Sequence, residues 1–153
     1  NITVNGEDVS EEIRSFDVNS NVSEISTIES VRKILVKKQQ EMGRDGGVVM
    51  EGRDITTVVF PNADVKIFLT AGIDERAKRR TKEFSEKGSE VPIDKVKENL
   101  KNRDFIDSNR EASPLTKAPD SIEVDTSNTT IEEQVELILN EIKNIADKKG
   151  IGI

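Results

Sequence analysis

The chain has 153 residues, 30 Asp plus Glu against 23 Lys plus Arg, and a net charge of -7: enough for one ordinary domain, with an overall field that does not attract a nucleic-acid polymer. It contains no Cys and no His, which removes disulfides, thiolate chemistry, the usual zinc ligand and the usual general base, so chemistry rests on carboxylates, Lys, Arg, hydroxyls and backbone groups, and no metal ligand set is expected. No apolar run approaches the roughly 20 residues of a membrane span and no signal pattern opens the chain, so a soluble cytoplasmic protein is expected.

Ile2 to Val4 followed by Asn5-Gly6 predicts a strand and a hairpin turn. Val9 and Ile13 continue a short element, and the polar stretch Ser20 to Ser26 reads as a connector. Ser26 and Glu29 have capping-box spacing, and Val31, Ile34, Leu35 and Met42 then recur at helical spacing until Gly43, Gly46 and Gly47 stop the helix. Val48 to Met50 is wholly apolar, as a strand buried on both faces would be, and Val58 to Phe60 is a second apolar run ending at Pro61. Between these runs lies a loop with Glu51, Arg53 and Asp54. Ligands of parallel sheets sit beyond the carboxyl ends of strands, so this loop is placed to hold a ligand, and its Arg points to an anionic one.

Val65 to Leu69 reads as a buried strand and Asp74 to Phe84 as a basic helix, broken by Lys87-Gly88-Ser89. Pro92 opens a helix to about Asn109, Pro114 and Pro119 bracket a loop, and Ile122 with Val124 marks another strand. Thr130 and Glu133 again have capping-box spacing. The last helix carries Ile131, Val135, Ile138, Ile142 and Ile145 on one face, with Gly150 just past its end. Strands alternating with helices predict an α/β fold with a parallel sheet. Three core strands are few for a doubly wound sheet, and the chain opens at Asn1 directly in strand-like sequence; it reads as a piece that has lost its beginning.

Four groups of residues could carry chemistry. At 100° per residue Ile93, Val96 and Leu100 form a stripe, which Arg103, Asp107 and Arg110 continue within about 60° of one another. Either the helix end overhangs a polar cleft or it leaves the core and is solvated, with Asp107 and Arg110 as an ordinary i, i+3 pair. Gly52-Arg53-Asp54 offers a planar fork for phosphate or carboxylate beside an acceptor, or else a turn with a local salt bridge. Arg76, Arg79 and Arg80 crowd near a helix start, where the dipole disfavours cations; they are phosphate clamps on a mobile lid, or are compensated by Asp74, Glu75 and Glu83. Ser23 stands out by no pattern, and Arg32 flanks an apolar stripe as a solvated Arg would. Neither GxxxxGK followed by Ser or Thr nor GxGxxG occurs.

The segments NGEDVSEEIR, VRKILV, EGRDITTVVFPNADVKIFLTA, ERAKRR and NRDFIDSNREASPL together resemble bacterial cytidylate kinases, of the nucleoside monophosphate kinase family, over nearly the whole chain. The resemblance implies a three-layer parallel-sheet fold of the P-loop kinase type. Residues 1–27 would be part of the CMP-binding insert and 28–153 the carboxyl-terminal part of the kinase core, with a lid at about 76–100. It implies phosphoryl transfer from ATP to CMP or dCMP, with Mg2+ accompanying ATP and no Mg2+ ligand in this chain. By the same resemblance Ser23, Arg32, Arg53, Asp54, Arg103, Asp107 and Arg110 bind CMP. Arg53, Arg103 and Arg110 would surround its phosphate, with Arg53 and Arg110 as the catalytic candidates. Asp54 and Asp107 would face the sugar hydroxyls, Ser23 and Arg32 the base edge. Arg76, Arg79 and Arg80 would approach the ATP phosphates. A monomer is expected, with no membrane or nucleic-acid partner.

Two departures stand out. The family's opening strand, P-loop and helix have no counterpart in this sequence, so the chain alone is expected to be inactive. Thr56 stands where the family usually has Gly. The alternative reading is a non-catalytic α/β nucleotide-binding or scaffold module.

Overall fold

The computed structural model describes residues 1–150. It is a mixed α/β structure. A hairpin of β1 (Thr3–Val4) and β2 (Glu7–Asp8) precedes α1 (Phe16–Ile25) and α2 (Glu29–Met42). A π-helical turn (Ile55–Val59), β3 (Ile67–Thr70), α3 (Ile73–Glu86), α4 (Ile93–Asn109), β4 (Ile122–Asp125) and α5 (Ile131–Lys149) follow.

Local chemistry accounts for several boundaries. The hairpin pairs Thr3 with Asp8 and Val4 with Glu7. Asn5 and Gly6 both have positive φ, 54° and 86°, as a two-residue turn matched to the strand twist requires. Thr130 caps α5 reciprocally with Glu133, the Glu133 amide donating to Thr130 Oγ1 at 3.2 Å and the Thr130 amide to Glu133 Oε2 at 2.7 Å. Gly150 closes the helix with φ 67°. The helix opened by Pro92 spans Ile93–Asn109, as its spacing predicts.

β3 and β4 pair in parallel, Ile67 with Ile122 through Thr70 with Asp125, which fits the crossover between them through α3 and α4. Lys66, just before β3, is buried. Its Nζ donates to the Pro61 carbonyl and to both Asp120 oxygens, at 2.9 and 2.7 Å. One ammonium therefore ties the end of the π-helical segment, the start of β3 and the turn into β4. The bond from Lys66 holds the Asp120 carboxyl below the usual carboxylate range.

α3 lies along α4, and α1 lies against α4. Fully buried Ala77, with Phe84 and Val96, forms the centre of this packing. The Phe84 ring meets the Phe16 ring edge-on, centroids 5.7 Å apart, and Arg80 stands over its face at 5.0 Å.

Several sequence-based expectations are corrected. Ser20 to Ser26 is not a connector, because its first six residues end α1. Ser20 Oγ and Asn21 Nδ2 donate back to the carbonyls of Phe16 and Asp17, both at 2.8 Å, and packing on α4 supplies what the polar composition lacks. The Ser26–Glu29 capping box does not form: Ile28 occupies the N-cap without a side-chain bond, since the Ser26 hydroxyl is bonded to the Ser23 carbonyl and to Arg110. Val48 to Met50 is not a buried strand, with no ladder partner among the described residues and Val49 fully exposed. Val58 to Phe60 belongs to a wide helical turn in which the Phe60 amide donates to the Ile55 carbonyl at 2.7 Å. Leu69 of β3 is half exposed, so that strand is not covered on both faces. The apolar stripe of α2 is largely open, with Ile34, Leu35 and Met42 exposed, and that of α5 is open at its start, where Ile131 and Val135 are exposed, while Ile138, Ile142 and Ile145 are part-buried. α2 instead meets the π-helical turn through Gln40, which donates to the Val58 and Val59 carbonyls at 3.4 and 3.2 Å. Gly43 ends α2 against the Phe60 ring, where a Cβ would lie 2.3 Å from a ring carbon.

The packing centre carries a direct expectation. Phe84→Ala should destabilise the fold by about 3 kcal/mol or more in urea titration, whereas exposed Phe105→Ala should change it by less than about 0.5 kcal/mol. Equal effects of the two would place the core elsewhere.

Candidate functional site

The charged half of the α4 stripe is not solvated. Asp107 and Arg110 are buried, 2% and 8% exposed, and they form the expected i, i+3 pair within a larger ion-pair cluster. Asp107 is the hub. Its Oδ2 accepts from Arg53 Nε at 2.9 Å and lies 3.8 Å from Arg103 Nε, an ion-pair distance too long for a hydrogen bond. Its Oδ1 takes Arg110 Nη1 at 3.4 Å, and its backbone carbonyl accepts the Leu115 amide at 2.7 Å, fixing the chain just after the helix.

The GRD loop supplies the second wall. The Asp54 carbonyl collects the amides of Thr57, Val58 and Val59 at the start of the π-helical turn, which fixes the backbone from which Arg53 and Asp54 project. The Asp54 carboxylate is buried and ion-paired with Arg32 of α2. Arg32 is therefore not the solvated Arg that its position beside an apolar stripe suggests; long-range pairing with Asp54 turns it inward. Ser23 enters from the last turns of α1, also buried.

Among the residues expected at a CMP site, Arg53, Arg103, Asp107 and Arg110 are joined directly around Asp107, and Asp54 with Arg32 adjoins them. The Ser26 hydroxyl, bonded to both Arg110 and the Ser23 carbonyl, connects α1 to the same cluster. Counted over these side chains, the guanidiniums of Arg32, Arg53, Arg103 and Arg110 face the carboxylates of Asp54 and Asp107, so two positive charges are uncompensated. Burial lowers the affinity of the Arg103 guanidinium for its proton, with Arg53 and Arg80 adding to the effect. Burial and the neighbouring Arg32 act likewise on Arg110. The repulsion is local and an anion would relieve it.

Four of these residues also hold a buried polar atom with no hydrogen-bond partner: Ser23 Oγ, Arg32 Nε, Arg103 Nε and Arg110 Nη2. Each such group costs on the order of 1–3 kcal/mol when left unpaired. Uncompensated positive charge together with unsatisfied donors could be met by an anion with several acceptor oxygens.

The basic helix forms a second set. Arg76 binds Asp104 bidentately at 3.0 and 2.6 Å, Arg79 binds Glu75 at 3.1 Å and Thr126, and Arg80 binds Glu83 at 2.6 Å and Asn19 Oδ1. Glu75 and Glu83 thus act as the compensating anions, while Asp74 is taken by Lys97 and Asp104 takes its place. A shallow cavity of about 350 Å³ is lined by Arg76, Arg79, Arg80 and Arg103 with Glu83, Asn19 and Leu100.

Sequence reasoning missed three residues. Asn19 accepts from Arg80 and, at 3.5 Å, from Arg103. Ser26 and Ser113 both bind Arg110. Asn19 and Ser26 act across more than sixty residues of sequence, and no periodic pattern marks them. Ser113 lies close in sequence but acts through its carbonyl, which side-chain patterns do not register. As to metals, Asp54 and Asp107 are engaged by guanidiniums. Among the described residues no three His, Cys, Asp or Glu side chains group in a way that could hold an ion. No described helix is long and apolar enough to cross a membrane.

A family model described as cytidylate kinase matches residues 1–144. The chain is 54% identical over 140 residues to the bifunctional pantoate ligase/cytidylate kinase of Prochlorococcus marinus, covering 91% of this chain and 28% of that protein. It is 50% identical over 143 residues to a cytidylate kinase of Clostridium botulinum, covering 94% of this chain and 66% of the relative. Against the cytidylate kinase of Oceanobacillus iheyensis the identity is 51% over 152 residues, covering 98% and 66%. The chain thus spans 28% of the bifunctional relative and 66% of the other two. With α4 and its C-cap bringing Arg103, Asp107 and Arg110 to the GRD loop, and with these matches, the chain belongs to the cytidylate kinase family.

Proposed function

We propose that this chain forms the acceptor side of an enzyme that transfers the γ-phosphoryl group of ATP to CMP or dCMP, giving CDP or dCDP and ADP. The observation that supports it most is the match between ligand charge and site charge. A phosphate monoester carries about -1.5 to -2 at neutral pH and presents three acceptor oxygens. The cluster around Asp107 has two uncompensated positive charges and buried guanidinium donors on Arg103 and Arg110 without partners.

On this reading Arg53, Arg103 and Arg110 hold the CMP phosphate, and Asp54 and Asp107 serve the sugar hydroxyls while fixing the arginines. Ser23 and Arg32, whose buried Oγ and Nε lack partners, meet the base edge. In the transfer step an oxygen of the CMP phosphate forms a bond to the γ-phosphorus as the bond to the bridging oxygen of ADP breaks. Attack of one anion on another is opposed by their charge, so the protein's task is neutralisation and alignment. Arg53 and Arg110 do this at the acceptor oxygens. Residues 1–27 form part of the CMP-binding insert, residues 28–153 the core, and about 76–100 a lid. Closure of the lid would bring Arg76, Arg79 and Arg80 to the donor phosphates and exclude water, the competing acceptor. Magnesium, when bound with ATP, supplies further neutralisation of the donor phosphates; no residue here is assigned to it.

The 153 residues contain no GxxxxGK(S/T) loop to cradle the donor phosphates. The 153-residue chain by itself should therefore show no CMP-dependent ADP release in a coupled assay, and turnover above background would refute this. In a protein that contains the whole chain and is active, Arg110→Ala and the half-exposed Arg53→Ala should each lower kcat/KM for CMP by about 100-fold. Unchanged CMP kinetics in both variants would remove these residues from the site. CMP binding without turnover in every form of the protein would favour a non-catalytic nucleotide-binding module.

A further inference from the structure

Arg110 is held on three sides. Its Nε donates to the Ser113 carbonyl at 2.9 Å, and its Nη1 donates to Ser26 Oγ at 2.8 Å and more weakly to Asp107 Oδ1 at 3.4 Å. Nη2 is buried and has no partner. The Ser113 carbonyl is aimed by an unusual backbone, since Ser113 has φ 53°, a left-handed conformation that non-glycine residues adopt at some cost. Ser26 Oγ is itself oriented. It donates to the Ser23 carbonyl at 2.7 Å, so its proton is committed and its lone pairs face Arg110. A planar guanidinium with both Nε and Nη1 engaged has no rotational freedom left. The remaining arm is then directed by geometry rather than by a ligand.

We infer that Ser26 is a positioning residue of the acceptor site: its hydroxyl fixes Nη1 of Arg110 so that Nη2 alone is presented to an anionic phosphate ester. The bond from Ser26 to the Ser23 carbonyl also links that arm to the end of α1 that carries Ser23. Without the hydroxyl, Arg110 keeps only the 3.4 Å contact on Nη1, and the fork can pivot about its bond to Ser113. The phosphate would then have to order the arginine on binding, a cost that pre-organisation avoids. This assignment rests on the reading of the cluster as a phosphate-monoester pocket.

The test uses an isosteric pair, Ser26→Thr and Ser26→Val, in a protein containing the whole chain, with CMP and cytidine as calorimetric probes. Wild type should bind CMP more tightly than cytidine. Ser26→Val should weaken CMP roughly 10-fold, as loss of a hydrogen bond to a charged group does, while cytidine affinity stays within about twofold. Ser26→Thr, which keeps the hydroxyl, should retain CMP affinity within about threefold by the same reasoning. A wild-type ratio of CMP to cytidine affinity in Ser26→Val would overturn the assignment, and so would parallel weakening of both probes, which marks a merely structural role. If wild type shows no preference for CMP over cytidine, the pocket reading itself fails. Denaturation curves on both variants separate misfolding from loss of affinity: a Ser26→Val protein that does not fold while Ser26→Thr does would make Ser26 structural and overturn the assignment.

Discussion

Asp107 is a carboxylate with its side chain 3% exposed, and guanidiniums from two different segments converge on it: Arg53 from the GRD loop, and Arg103 and Arg110 from α4. A lone charge at that depth would be strongly disfavoured by desolvation. Here the cost is offset by the arginines, and in return the carboxylate holds them within a few ångströms of one another against their mutual repulsion. The order of α4, the π-helical turn and the loop after Asn109 depends on this arrangement. Removing Asp107 would leave Arg53, Arg103 and Arg110 without the carboxylate that joins them. Removing one arginine leaves the carboxylate with two. The arrangement is asymmetric, and the aspartate is the member that cannot be spared.

Polar burial nearly matches apolar burial among the described residues, where six polar or charged residues and seven apolar ones are buried. The buried apolar residues are few, among them Ile55, Val59, Phe84 and Val96. Large apolar side chains on α2 and α5 are open to solvent. Lys66 and Asp107 therefore act as cross-links between segments, in a place where a larger core would ordinarily do that work. Buried ion pairs contribute little net stability because desolvation opposes the Coulomb gain, but losing one partner is expensive. Such a region is specific in geometry without being strongly stable. An anion that joined the cluster would add counter-charge and stabilise the folded state by RT ln(1 + [L]/Kd).

The parts of the fold that were legible in the sequence are those fixed by neighbours in the chain. Asn5-Gly6 needs only its own φ preferences, the Thr130–Glu133 box only its own two side chains, and the helix after Pro92 only its own spacing. The 100° arithmetic also placed Arg103, Asp107 and Arg110 on one line, but could not say whether that line was wet; the decision came from Arg53, fifty-four residues away from Asp107. Ser26 and Glu29 satisfied the capping spacing, yet the hydroxyl was claimed by Arg110, eighty-four residues on. Val48 to Met50 had strand composition, but a strand needs a neighbour for its amides and none of the described segments provides one. In each failure a long-range partner, present or missing, outweighed a correct local preference.

Asn19 shows how two charged sets can share one neutral atom. Its Nδ2 donates to the Arg14 and Ser15 carbonyls at 3.3 and 2.7 Å, which fixes the amide so that Oδ1 faces Arg80 and Arg103. The two sets differ in how freely they can rearrange. Arg110 and Asp107 are desolvated, and disturbing them exposes buried charge. Arg79 and Arg80 pair with Glu75 and Glu83, all of which keep about a third or more of their side-chain surface in water. Pairs of that kind contribute roughly 0–1 kcal/mol each, so exchanging their carboxylates for other anions costs little. On the proposed function, a desolvated cluster beside loosely paired arginines would suit phosphoryl transfer, with the acceptor aligned before the arriving donor charge is neutralised. Asn19 stands at the boundary, where movement of α3 would be felt by Arg103 through a single shared acceptor.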